Sequence, residues 1–343
     1  MPAASIHARV VTALVAITLS VPVAVVATPA SATPTKVAVG WPEAARIRLG
    51  GSFEVDVRTA ASPEDRTVTV QRRVPGGWAA MSSSRLAGST STTSLTVRPG
   101  WLGRYLLRVA VRPVEAGTTA VSDGFTVRVV PGYRPAGTRG MHDFFTTPVP
   151  RWDPCAPIRY RVNLRQARAG ALRDARTAFR RVAEATGLRF VYAGRTAMVP
   201  QGGLDERFPA DTDFVLAWAT PARSRLLAAA GGAAGVGGPI YRPGYENGDG
   251  SATSLITRGR VVLDPSIRVR PGFGRGFTRG ALLMHEIGHA VGLEHARARS
   301  QLMYPVLRDG PARYGAGDLA GLERLGAQQG CVYDDGIKVA RAR

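Results

Sequence analysis

Between residues 36 and 130 the chain alternates apolar and polar positions with a period of two. The apolar set runs Phe53, Val55, Val57; Val68, Val70; Leu95, Val97; Tyr105, Leu107, Val109, Val111; and Phe125, Val127, Val129. That period places every second side chain on one face of a strand. Turn-forming stretches such as Pro75-Gly76-Gly77 and Arg98-Pro99-Gly100 divide the runs. Short strands at this spacing predict an antiparallel β-sandwich.

The expected sandwich is all-β and immunoglobulin-like and covers residues 33–131. It holds no cysteine, so apolar packing must join its sheets, with Trp78 and Trp101 as candidate core residues. No catalytic constellation falls in it, which leaves a spacer, a pro-region or an adhesive module as its role. Residues 132–152 are rich in Pro, Gly and Thr and read as a linker. His142 and Asp143 lie there and read as solvated loop residues before metal ligands.

From 153 to 335 the period changes. Residues 158–163 alternate as a strand, and 166–186 carry Leu172, Ala175, Phe179 and Val182 at helical spacing up to Gly187. Strands are expected at 188–192, 213–218 and 260–264. Thr278 is the expected N-cap of a following helix, and Asp318 that of a last helix through Leu322 and Leu325. The order of these elements predicts an α+β domain.

Candidate chemistry is concentrated at residues 285–295, which read H-E-x-x-H-x-x-G-x-x-H. On a helix His285 and His289 lie one turn apart on one face, so both imidazoles reach one ion. Gly292 supplies the left-handed turn that ends the helix, and the reversed chain brings His295 in as a third nitrogen ligand. Three ligands leave the fourth zinc position open, whereas purely structural zinc sites close it with Cys or His. Glu286, beside the ligands, is placed to act as a general base. Of the 5 histidines in the chain, three fall inside this motif, which weighs against chance.

With that motif, the second domain resembles the metzincin zinc endopeptidases, most closely a matrixin-like branch of a secreted bacterial type. Gln301-Leu302-Met303-Tyr304-Pro305 is similar to the clan's methionine turn. The resemblance implies a zincin-like catalytic fold, one catalytic Zn2+, an apolar floor from Met303, and no fifth protein ligand because position 305 is proline. Gly317-Asp318 resembles a paired aspartate with its first member replaced, which implies that Asp318 braces the methionine turn. The latency cysteine of matrixin pro-segments has no counterpart here. The stretch Asn247-Gly248-Asp249-Gly250 reads first as a simple turn; a Ca2+ site there is the alternative, with no further support.

The start of the chain adds a location. His7 and Arg9 precede an apolar run over 10–26, and Ala30-Ser31-Ala32 has the small-x-small pattern of a cleavage site, so residues 1–32 read as a secretory signal. No later stretch is apolar enough for a transmembrane anchor. A secreted, extracellular monomer is expected. Cys155 and Cys331 are its only cysteines and are expected to pair in that setting. Lys and Arg number 45 against 25 Asp and Glu, a net charge of +20, and residues 336–343 form a basic tail. The arginines are scattered along the chain without interleaved aromatics, which argues against nucleic acid. Compositional bias explains them first, and an anionic cell-surface polymer second. The expected activity is hydrolysis of a polypeptide by zinc-activated water. The rival readings are a surface-binding protein with an inactive or structural zinc domain, and zinc hydrolysis of a non-peptide substrate.

Overall fold

The structure is a computed structural model that describes residues 37–115 and 117–334. The expected signal at 1–32 and the basic tail at 336–343 lie outside the described residues.

Nine strands form the N-terminal half: β1 (Ala38–Gly40), β2 (Arg46–Arg48), β3 (Phe53–Arg58), β4 (Arg66–Val74), β5 (Gly77–Leu86), β6 (Thr92–Val97), β7 (Gly103–Pro113), β8 (Ala120–Val121) and β9 (Phe125–Val130). They make two sheets, β1-β3-β6 and β2-β9-β7-β4-β5, with β8 paired to β7. The alternation explains their packing. Val55, Val57, Leu95 and Val97 of the first sheet meet Val68, Val70, Leu86, Val109 and Val111 of the second in one buried cluster. Polar neighbours such as Glu54 and Asp56 are exposed. Each fully buried valine contributes about 1.5 to 3 kcal/mol, so these two rows hold the sheets together without a disulfide.

Trp78 departs from expectation. It sits on β5 half-buried, outside the core, with the guanidinium carbons of Arg108 and Arg73 4.1 and 5.5 Å from its ring centroid. Its strand position has the parity of the outward face, and cation–π contact shields the ring there. Trp101 packs at the sandwich's end against Tyr105.

Residues 132–152 do not run as a free tether. Their composition signals irregular backbone, but two-residue strands carry no periodicity by which a sequence could show pairing. β10 (Asp143–Phe144) pairs antiparallel with β17 (Leu293–Glu294), and β11 (Pro150–Arg151) pairs parallel with β16 (Ala252–Leu263). Arg151 is buried and donates to the carbonyls of Gly326, Gln329 and Gly330 and to the Asn247 side chain. Trp152 is buried too, its indole N–H donating to Ala290 O at 3.1 Å.

The C-terminal half is a mixed sheet with helices against it. β12 (Ile158–Asn163) lies between β13 (Phe190–Arg195) and β14 (Phe214–Trp218), and β16 follows, all parallel. β15 (Gly235–Asn247) closes this row antiparallel to β16, and β18 (Val332–Asp334) pairs only with its last residues. α1 (Ala171–Thr186) starts later than its periodicity suggests because Gly170 takes φ 75° just before it. Its Phe179 stacks on Tyr160 with ring centroids 3.9 Å apart and meets Phe214 edge-on at 5.0 Å. A short α2 (Arg225–Ala229) precedes β15, and α3 (Arg279–Ala290) is buried along its whole length.

α4 (Ala316–Leu325) corrects one expectation. Its N-cap is Gly315, and Asp318 stands in its first turn, where its carboxylate accepts the Gly315 N–H at 2.8 Å. The expected pairing of Cys155 with Cys331 is present, with Cα atoms 5.4 Å apart. It ties the turn before β12 to the residue before β18. Among the described residues no helix is long and apolar enough to cross a membrane.

Candidate metal centre

α3 begins where Thr278 Oγ1 accepts the Ala281 N–H at 3.2 Å, which satisfies one of the donors left free in a first turn. The helix then carries His285 and His289 on one face with ring centroids 4.7 Å apart. Past its C-cap Val291 stands Gly292, whose φ is 118°. A side chain at that position would also lie 2.7 Å from Pro150 O, so glycine is required by conformation and by space. The chain turns into β17, held by β10, and brings His295 to 4.5 Å from the His289 ring and 5.4 Å from that of His285. One ligand-type atom from each of the three histidines lies within 4.8 Å of the others.

The hydrogen bonds fix the tautomers of two of these rings. His285 Nδ1 lies 2.8 Å from Leu302 O, and His289 Nδ1 lies 2.8 Å from Leu293 O. A carbonyl only accepts, so both Nδ1 atoms carry the proton and each neutral ring presents an unprotonated Nε2. Burial drives both imidazoles down, His285 to about 3 and His289 to about 4, so they are neutral near pH 7. The two Nε2 atoms are 3.1 Å apart with no proton to share. Two lone pairs facing each other at that distance suit a shared cation, and three imidazoles suit zinc.

Glu286 is buried, and desolvation pushes its carboxyl up to about 8, opposed by the Gly237 backbone N–H. Two glycines of β15 let that strand pass directly against it. A Cβ at Gly237 would lie 2.1 Å from Glu286 O, and one at Gly235 would lie 3.0 Å from the Glu286 side chain.

Met303 is buried below the helix; a Cβ at Gly288, between the two helical histidines, would lie 2.6 Å from its sulfur. Asp318 holds this turn by accepting the Leu302 N–H at 2.6 Å and the Met303 N–H at 3.3 Å. Burial raises its carboxyl to about 6 against those donors. Gln301 has no role of its own in the methionine-turn resemblance, yet its buried amide oxygen accepts from Gly317 N at 2.8 Å and Asp318 N at 3.1 Å. This role depends on a fold contact that no local pattern encodes.

A cavity of about 700 Å³ opens over the three histidines and Glu286, walled on one side by Leu282, Pro305 and Leu307. Phe145, also missed by sequence reading, borders it with its ring 5.8 Å from that of His289. Other sequence candidates stand elsewhere. His142 is not part of the histidine cluster; its Nδ1 faces Arg139 O at 2.9 Å. Asn247 Oδ1 accepts from Arg151, and Asp249 Oδ1 accepts from the Ser251 N–H and hydroxyl.

Residues 207–325 match the family model described as Matrixin. The match takes in α3, the three histidines, Met303 and α4. No curated protein matches the chain. A chain from a solved structure on T-cell specificity and activation by the bacterial superantigen toxic shock syndrome toxin-1 aligns with 28% of this chain and 99% of its own length, at 13% identity and a TM-score of 0.23, too low to carry an argument. The family match, falling on the residues that build the site, supports a matrixin-type zinc metallopeptidase.

Proposed function

We propose that this chain is an exported zinc endopeptidase, with a catalytic domain over residues 153–335 and an N-terminal immunoglobulin-like module over 33–131. The observation that carries the reading is the pair of unprotonated Nε2 atoms of His285 and His289, 3.1 Å apart and next to a buried Glu286. His285, His289 and His295 would hold the ion. Zinc bound there would supply Lewis acidity toward water and a peptide carbonyl, and its charge would favour the carboxylate form of Glu286.

Glu286 accepts the proton of the attacking water and returns it to the leaving amine nitrogen as the C–N bond breaks. Residues 235–241 of β15 bear no pairing strand on their outer edge among the described residues, so an extended peptide can add there through backbone hydrogen bonds. Leu302 O orients His285, Asp318 holds Leu302, and Met303 fills the space below.

Two observations support the immunoglobulin-like reading of the N-terminal half. β2 pairs parallel with β9 at the sheet edge, and Tyr105 near the start of β7 donates to Trp101 O, four residues upstream, at 2.9 Å, as a tyrosine corner does. The disulfide supports export to an oxidising compartment. A retired, purely surface-binding protein would have no use for a glutamate buried against the histidines at a cost in desolvation. The test is cleavage of an unstructured protein by the purified chain: activity lost to a chelator and regained with zinc supports the proposal, and inactivity with zinc bound contradicts it.

A further inference from the structure

Arg46 of β2 is the register partner of Arg128 of β9, and Arg128 is the partner of Arg104 of β7. Paired residues share a face of a sheet. Tyr105, Val127 and Val129 take the alternate positions and are buried in the sandwich, so the three arginines form a row that points away from its core. Arg48 follows Arg46 on the same face. Farther along, Arg108 and Arg73 reach the same side, where both meet Trp78.

None of the five strands β2, β4, β5, β7 and β9 contains an aspartate or glutamate. The facing sheet carries Glu54 and Asp56 on its exposed positions, followed on the same face by Arg58. Compositional bias accounts for arginine on both sheets; it does not account for carboxylates on the strands of one sheet and on none of these five strands of the other. The register therefore gathers what the linear sequence scatters. Like charges on adjacent strands destabilise a sheet, and among the described residues one carboxylate is ion-paired with the row: Glu323 lies 3.7 Å from Arg128, but it is shared with Arg139 at 2.7 Å. At this edge a cavity of about 590 Å³ is bordered by Arg46, Arg48, Arg128, Arg134 and Arg139.

We propose that this sheet face and the cavity at its edge bind a linear phosphate-bearing polymer without bases. Guanidinium groups pair with phosphate oxygens through two parallel hydrogen bonds, and a row of them on neighbouring strands engages successive phosphates of one chain. Single-stranded nucleic acid is the less suited occupant because base stacking needs an open aromatic face, and Trp78 is covered by two guanidinium groups.

The experiment uses the full zinc-loaded chain, with inorganic polyphosphate and an oligothymidylate of matched charge as probes. The variants are Arg46→Gln/Arg48→Gln/Arg104→Gln and a control, Arg195→Gln/Arg223→Gln/Arg225→Gln, which removes the same charge from exposed positions elsewhere. Folding of each is checked by its melting temperature and its zinc content. The face variant is expected to weaken polyphosphate binding by about tenfold or more and to lower the salt slope by about three, with the control close to the parent. Lysine at the three positions, as a variant that keeps the charge, is expected to retain the salt slope while losing part of the affinity. The proposal is overturned if polyphosphate does not bind, if both glutamine variants lose affinity equally, or if oligothymidylate binds more tightly than polyphosphate.

Discussion

The backbone of Leu302 links Asp318 to His285: its N–H donates to Asp318 Oδ2 at 2.6 Å, and its carbonyl accepts the His285 Nδ1 proton at 2.8 Å. The last helix thereby sets the orientation of an imidazole on α3. Asp318→Ala leaves the N–H groups of Leu302, Met303 and Gly315 without their acceptor. Each such loss in a buried setting costs about 1 to 3 kcal/mol, and loss of an orienting contact behind a metal ligand lowers affinity about 10- to 100-fold. Denaturant midpoints and zinc competition against a chromophoric chelator measure the two effects. Reduced stability with unchanged zinc affinity would remove Asp318 from the metal site.

Two glycines of β15 give a steric test. A Cβ at Gly237 meets Glu286 O at 2.1 Å, whereas one at Gly238 has nothing within 4 Å. Gly237→Ala therefore has to push β15 off α3, at about 1 to 3 kcal/mol for overpacking, and turnover falls with it. Gly238→Ala keeps stability near the parent. Equal behaviour of the two variants would mean that the strand does not depend on this close approach.

The metal-free protein should respond to pH with two opposed limbs. Glu286 is raised from 4.5 to about 8, so the folded state binds its proton more tightly; that stabilisation is full below 4.5 and is lost as pH rises through 8. His285 and His289 are lowered from 6.5 to about 3 and 4. Their contribution is full above 6.5 and is lost as pH falls through those values. Glu286→Gln abolishes only the alkaline limb. Its melting temperature relative to the parent, both without metal, is expected to rise between pH 5 and pH 8. A constant difference would show that Glu286 titrates normally.

The disulfide closes a loop with a sequence separation of 176. In the chain-entropy model a loop of that size stabilises by on the order of 5 kcal/mol. Replacing Cys155 and Cys331 together by serine should therefore lower the unfolding midpoint strongly, and the native parent should show no alkylatable thiol by mass spectrometry. Two reactive thiols in the unreduced chain would contradict the pairing.

What could be read from sequence was what local geometry controls. The spacing of His285 and His289 is a property of any helix, and Gly292 marks its own turn by the φ it permits. The strand runs were legible because one face of each is buried. Partners brought together by topology were not. Phe145 borders the metal cavity only because β10 pairs with β17, and the row of Arg46, Arg104 and Arg128 exists only in the register of three strands. Asp318 was assigned to the right turn but to the wrong place in its helix, since a glycine N-cap leaves no side-chain signal.

The assignment of Glu286 as general base is tested most directly by Glu286→Gln, measured for zinc content and for turnover on one peptide. The three imidazoles are untouched, so zinc should remain near one ion per chain, while turnover falls by about 100-fold or more because the amide takes up no proton. Parent-like turnover in a fully zinc-loaded Glu286→Gln protein would contradict the account.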